Sequence, residues 1–262
     1  MGAAVGVELV RYAVDAGIAT ITLDSPGNRN ALSRQLVGEL VARLGQAADA
    51  AASGTVRGIV LTQTGKVFCA GADLLEAGAH GVEEGAQDLV TILRTILTVP
   101  VPVIALVRGA ARAGGLGILG ACDIVVANSA ATFAFSEVRI GLGPAVISLT
   151  TMPRMDSRSA SRYYLTGETF DAAAAQAAGL ITVAADDVDA ALAPIIDGIR
   201  QGSPQGLAVS KKMSAAPTLA ALEAGAAEMA ALSSKLFTTG EVKEGMAAFL
   251  ERRTPSWALP AP

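Results

Sequence analysis

Aromatic residues make up only 4% of this 262-residue chain and charged residues 17%, so few rings and few ions are available to build or cover it. An interior poor in large rings must be packed from Ala, Val, Ile and Leu, and a hydrophobic content of 52% supplies them. So apolar a chain points to subunits packing on one another. Lys and Arg form no cluster or stripe, and a net charge of -4 leaves no electrostatic footprint for nucleic acid. Histidine occurs once, at His80, and cysteine twice, at Cys69 and Cys122, with no metal-ligand spacing among the three. Two reduced thiols in a cytoplasmic protein are the expectation. No apolar run attains the ~18 residues a membrane span needs. Glu8, Arg11 and Asp15 interrupt the N-terminal stretch before it reaches signal-peptide length.

What is present is an alternation of short apolar strands with helical patterns. Val7 to Leu23 reads as two strands around a turn at Asp15-Ala16-Gly17, followed by the loop SPGNRN. Leu32, Leu36, Val37, Leu40, Val41 and Leu44 then recur at helical spacing, which predicts a helix within Ala31 to Ala52, capped near Asn30 or Ser33. RGIVLTQ (57–63) is a buried strand and TGKVFCAGADL (64–74) a glycine-punctuated loop entering a helix. The order returns with a helix at Gln87 to Leu97, a strand in VPVIALVRG (101–109), a glycine-rich helix start in ARAGGLGILGACD, and strands in ACDIVVA (121–127) and ATFAF (131–135). Such alternation argues for an α/β fold with largely parallel sheets, laid out as a spiral of repeated units. From about Pro153 alanine-rich helical stretches take over (157–165, 172–178, 188–201 and 219–237), which predicts a helical appendage, and Pro255 to Pro262 predicts a tail.

Three loops are candidates for chemistry. Cys69-Ala70-Gly71-Ala72-Asp73 and Ala113-Gly114-Gly115-Leu116-Gly117 each enter a helix, where backbone N–H groups are unpaired and small residues let a ligand approach. Two such ends facing one point would bind an oxyanion; ordinary tight turns are the alternative. The third, FSEVRIGLGPAVISL (135–149), puts Glu137 after a strand and ahead of a glycine loop, where it serves either as an acid or base or as a solvated carboxylate paired with Arg139.

Together these loops resemble the crotonase, or enoyl-CoA hydratase/isomerase, superfamily. FCAGADL (68–74), VRGAARAGGLGILGACDIVVA (107–127) and FSEVRIGLGPAVIS (135–148) occur in that family's order. The likeness continues through PGNRNAL (26–32), SRYYLTGETFDAAAAQAAGLI (161–181) and the C-terminal GMAAFLERRTPSW. The resemblance implies a spiral of ββα units over 1–195 and a helical C-terminal region over 196–262 that drives formation of a homotrimer or a dimer of trimers. It implies an acyl-CoA thioester substrate, with no cofactor beyond the coenzyme A that the substrate carries. It further implies an oxyanion hole from the backbone N–H groups of Ala72 and Gly114, with Glu137 as acid or base. Substrate contacts are implied at Arg29, Ala70, Asp73, Leu74, Gly117, Phe249 and Arg252, the last two reaching either their own or a neighbouring subunit's site.

The family's two-glutamate hydratases carry a second glutamate where this chain has Gly117. Hydration needs a proton for the α-carbon and a held water for the β-carbon. Glu76 with His80, four residues apart, and Tyr163 or Tyr164 are the remaining polar candidates, each with a plain structural role as its alternative. The loop sequences resemble a hydratase branch that includes methylglutaconyl-CoA hydratases, so hydration is the expected activity. Isomerisation of a 3-enoyl to a 2-enoyl thioester by a single base is the alternative, followed by acyl-CoA binding without turnover. The small residues Ala77, Gly78, Ala79 and Gly81, between Leu74 and Glu84, suggest a mobile or roomy acyl wall.

Overall fold

The computed structural model of the chain describes residues 7–73, 76 and 82–259. Strands β1 (Val10–Asp15) and β2 (Ile18–Leu23) form an antiparallel hairpin whose two turn residues, Ala16 and Gly17, both have positive φ (43° and 83°). A two-residue hairpin turn needs that conformation to match the twist of its strands. Helix α1 (Arg34–Ala52) follows, capped by Ser33, whose side chain accepts the Leu36 N–H at 3.3 Å. Its inward stripe is Leu36, Val37, Leu40, Leu44 and Ala47.

Three units then repeat one plan: β3 (Gly58–Gln63), β4 (Val67–Cys69) and α2 (Val82–Thr98); β5 (Val103–Val107), β6 (Ala110–Arg112) and α3 (Gly114–Ala121); β7 (Ile124–Asn128), β8 (Thr132–Ala134), a 3-10 turn (Ser136–Ile140) and α4 (Ala145–Thr151). The first strand of each unit joins a six-stranded sheet, ordered β1-β2-β3-β5-β7-β10, and the second joins a four-stranded sheet, ordered β4-β6-β8-β9. This is the expected spiral of ββα units. Apart from the β1–β2 and β8–β9 pairs, every ladder is parallel. The large sheet is apolar on both faces. Ile21, Ile59, Leu61, Val103 and Ala105 point into the main core, while Val60, Ile104, Leu106 and Val126 meet Ile196 and Ile199 on the other side. Strands buried on both faces read as continuous apolar runs, which is how VPVIALV reads.

The C-terminal third is woven into this core. After α5 (Ser157–Thr166), β9 (Phe170–Asp171) extends the small sheet, α6 (Ala172–Ala177) follows, and β10 (Val183–Ala185) closes the large one beside β7. Both strands lie between the helical stretches read from Pro153 onward, where no strand is expected. They have only two and three residues, too few for a period-2 signal. Helix α7 (Val188–Gln201) runs unbroken across positions 195 and 196 and covers the outer face of the large sheet. Helix α8 (Pro204–Phe237) begins fifteen residues before the expected Leu219. Ser203 caps it, Pro204 stands in its first turn, and its buried stripe of Lys211, Ala215, Thr218, Leu222, Ala226 and Ala230 continues past the internal Pro217. The last helix among the described residues is α9 (Gly240–Glu251). Among the described residues no helix is long and apolar enough to cross a membrane.

Candidate active site

The site is assembled from the connections between the two sheets. Asn30 is fully buried, with φ 52°, and is a loop staple rather than a helix cap. Its Oδ1 accepts the Ser25 N–H (2.7 Å), and its Nδ2 donates to the carbonyls of Thr64 (3.1 Å) and Val67 (2.7 Å). With the PGNRN loop fixed on the β3–β4 connection, the Arg29 carbonyl accepts the Ala70 N–H (3.2 Å) and the Leu32 N–H donates to the Gly71 carbonyl (2.8 Å). The AGAD turn is thereby held from below by the NRNAL segment.

Gly71 has φ 91°, and a β-carbon there would lie 2.7 Å from that of Ala113 and 3.3 Å from Gly114 N. Only glycine lets the two small-residue turns abut. Ala113 itself has φ 47° and ψ -120°, a conformation a side chain strains by roughly 1–3 kcal/mol, and strain of this kind collects at functional sites. It presents Gly114 as the first residue of α3. Among the described residues no acceptor takes the N–H of Ala72 or of Gly114. The expected pair of oxyanion donors thus sits on neighbouring turns lining one cavity.

Glu137 lies in the first turn of the 3-10 segment Ser136–Ile140 and is 8% exposed. Its Oε2 is buried with no hydrogen-bond partner among the described residues. Burial lifts the carboxyl from its ordinary 4.5 to about 7, against a smaller lowering by a backbone N–H. A carboxyl poised there exchanges protons in either direction near neutral pH. Tyr164 is raised too, by burial and then by the Glu137 charge; its hydroxyl bonds Thr151 and its ring packs on Phe135 at a 41° tilt, centroids 4.5 Å apart. It serves as packing behind Glu137, and neither it nor Tyr163 lines the cavity.

The cavity, about 350 Å³, brings together Ala72, Gly114 and Glu137, with Ala70, Asp73 and Phe249 also on its wall. Leu74 and His80 lie outside the described residues, so the expected Glu76–His80 pair is represented by Glu76 alone, whose Oε2 accepts the Arg34 N–H (2.8 Å). Arg29 and Arg252 are exposed and line no part of the cavity. Phe249 meets the cavity of its own chain because α9 folds back onto the Glu137 segment. A β-carbon on Gly245 would come within 2.5 Å of the Ile140 carbonyl, so that approach is open only to glycine. The cysteines take no part: both are buried, free and raised to about 12 by burial.

Gly117 is likewise absent from the cavity wall. A β-carbon there would lie 2.7 Å from Ile147 Cγ2, and it is Ile147 that lines the cavity. An apolar side chain has taken the room a second glutamate would need. Gly117→Ala is therefore expected to cost ~1–3 kcal/mol by overpacking, read as a lower urea midpoint, with Gly117→Ala/Ile147→Ala, which removes the offending Cγ2, less destabilised than the sum of the two single changes. A midpoint equal to wild type would mean that Ile147 is not wedged there.

Sequence reasoning missed Asn30 as the staple and Ala113 as the strained donor platform, and it passed over Ile147. Only Asn30, between two loop residues and a helix, carried a signal, since asparagine tolerates positive φ.

Comparison with known proteins gives the family and the fold. Residues 13–259 match the family model for enoyl-CoA hydratase/isomerase. A 2,3-dehydroadipyl-CoA hydratase of Escherichia coli (strain K12) is 33% identical over 245 residues, covering 92% of this chain and 94% of that protein. The crystal structure of an enoyl-CoA hydratase from Mycobacterium avium superposes with a TM-score of 0.89 at 47% identity, covering 95% of this chain and 99% of that one. An enoyl-CoA hydratase from Shewanella pealeana superposes at 0.75 with 32% identity, covering 96% and 97%. A chain that carries this two-sheet spiral, these paired turns and a buried glutamate on one cavity, and that matches across 13–259, belongs to the enoyl-CoA hydratase/isomerase family of enzymes.

Proposed function

We propose that the protein is an enoyl-CoA hydratase that adds water across the 2,3 double bond with one carboxylate. The observation that carries this reading is Glu137: of the carboxyls lining the cavity among the described residues it alone is buried, and it shares that cavity with the Ala72 and Gly114 N–H groups. Ionised Glu137 takes a proton from water as the hydroxyl oxygen bonds to C3. The C2–C3 π electrons move into the thioester, and the resulting enolate oxygen is held by the two backbone donors. Protonated Glu137 then returns the proton to C2. Loss of one oxyanion donor costs ~10²–10³ in rate in enzymes of this design. A cavity near the lower end of ligand pockets, ~300–1,000 Å³, suits the acyl and thioester part, with the nucleotide end of coenzyme A outside, where exposed Arg29 and Arg252 are available to its phosphates.

The isomerase reading draws on Gly117, which offers no side chain to hold water. The discriminating test is ultraviolet absorbance of the conjugated thioester. Loss of absorbance from 2-enoyl-CoAs supports hydration; its appearance from 3-enoyl-CoAs alone sinks hydration in favour of isomerisation. With Glu137 as the base, kcat/KM should rise with pH through about 7 and level off above it. A limb near 4.5 instead would mean that Glu137 is hydrated in the working enzyme. The exposed apolar residues Met152, Leu165, Val209 and Met213 support assembly with further copies of the chain.

A further inference from the structure

Besides Glu137, four carboxylates line the cavity among the described residues, Asp73, Glu76, Glu84 and Asp88, against the guanidinium groups of Arg34 and Arg139. Asp73 and Glu76 are engaged locally: Asp73 accepts from Asn28 Nδ2 (3.2 Å) and the Glu76 N–H (3.3 Å), and Glu76 accepts the Arg34 N–H. Glu84 and Asp88 are different. They stand one turn apart on α2, on the face that looks into the cavity. Arg34 contacts Glu84 and also acts on Asp88, so among the described residues one guanidinium serves two carboxylates. Leu89, next to Asp88, reaches within 3.8 Å of the point where a side chain on Gly114 would begin. The Asp88 turn therefore lies beside the Gly114 turn on the wall of the same cavity. Arg139 also lines the cavity, two residues from Glu137, and donates to the Thr166 carbonyl (3.3 Å).

We propose that Asp88, backed by Glu84, is a specificity-determining residue that admits uncharged acyl chains and rejects chains ending in a carboxylate. This rests on the reading of the cavity as an acyl-CoA thioester site. Two carboxylates brought together in a partly enclosed, largely apolar cavity repel by more than either gains there, and such like-charge contacts are a common means of excluding a wrong ligand. Half-burial of Asp88 weakens screening by solvent and salt, so the repulsion persists at physiological ionic strength. A hydrocarbon chain meets no such cost, and a hydroxylated one can donate to Asp88.

The test uses saturated thioesters, which bind without turnover: hexanoyl- and octanoyl-CoA against adipyl- and suberyl-CoA, titrated calorimetrically into wild type, Asp88→Asn and Glu84→Gln. The expected result is that wild type binds each uncharged thioester at least ~10-fold more tightly than its dicarboxylic counterpart. Within Asp88→Asn the ratio should shrink ~5-fold or more, and within Glu84→Gln by less, because exposed Glu84 is better screened. Equal or tighter binding of the dicarboxylic thioesters by wild type overturns the inference and leaves the thioester site standing, with Arg139 holding the terminal carboxylate. An unchanged ratio in both variants overturns it as well. Failure of hexanoyl- and octanoyl-CoA to bind at all removes the thioester reading and the inference with it.

Discussion

Glu137→Gln should lower turnover by at least ~10²-fold while leaving acyl-CoA binding within a few-fold of wild type. The amide keeps the shape and one acceptor oxygen of the side chain but can neither take the proton of water nor return it to C2. The proposed oxyanion donors are backbone groups of Ala72 and Gly114, untouched by the change, so affinity for the thioester should survive. A second readout comes from stability. The carboxyl is held at about 7 by burial, above its ordinary 4.5, so the folded protein favours the protonated form. Stability is therefore full below about 4.5 and declines as pH rises through 7, where burying the ionised form costs about 3 kcal/mol. Glu137→Gln, which carries no charge, should unfold at higher urea than wild type at pH 8 and show little difference at pH 5. A variant that is both slower and more stable is the signature of a group kept for chemistry at the expense of the fold. An unchanged rate would remove Glu137 from the mechanism; lost activity without the pH-dependent gain in stability would mean that water reaches the carboxyl in the resting enzyme.

Much of this site was legible in the sequence, for reasons that differ by residue. Taken singly, Glu137 reads equally as a solvated carboxylate and the Ala72 and Gly114 turns as ordinary tight turns; it is the three loops in order, and the resemblance they carry, that single these residues out. The strands of the ββα units were readable because burial on both faces makes them continuous apolar runs, as in VPVIALV. What could not be read is whatever depends on contact between distant segments. That Ile147 fills the space beside Gly117 follows from how α4 packs on α3, and a glycine in a sequence does not say what occupies its missing side chain. The return of α9 to its own chain's cavity depends on Gly245 meeting Ile140, more than a hundred positions away. The strands β9 and β10 are too short to have a period. The first half of α8 was obscured because its inward stripe contains a lysine.

That lysine should prove one of the most sensitive positions in the fold: Lys211→Met is expected to destabilise the protein by ~3–5 kcal/mol. Lys211 is 4% exposed, and its Nζ donates to Asp123 Oδ2 (2.6 Å) and to the Ile96 carbonyl at the end of α2 (2.8 Å). The same carboxylate oxygen accepts the Val103 N–H at the head of β5 (2.8 Å), so one ion pair fastens α8 to both a helix and the central sheet. Methionine matches the length of the lysine stem but leaves Asp123 charged, buried and facing a carbonyl, and Asp123 Oδ1 already has no partner among the described residues. The loss comes mostly from that stranded charge rather than from the missing attraction. Hence Lys211→Met/Asp123→Asn should recover most of it, because the asparagine carbonyl still accepts the Val103 N–H and no ion remains. Urea midpoints at fixed protein concentration, with the slope unchanged, measure both effects. If Lys211→Met lies within about 1 kcal/mol of wild type, the figure for an exposed pair, then water reaches Asp123 and the pair is not what anchors α8. If the double variant is no better than the single, the attraction itself holds the helix, and the cavity residues Ser233 and Phe237 at the far end of α8 depend on it for their position.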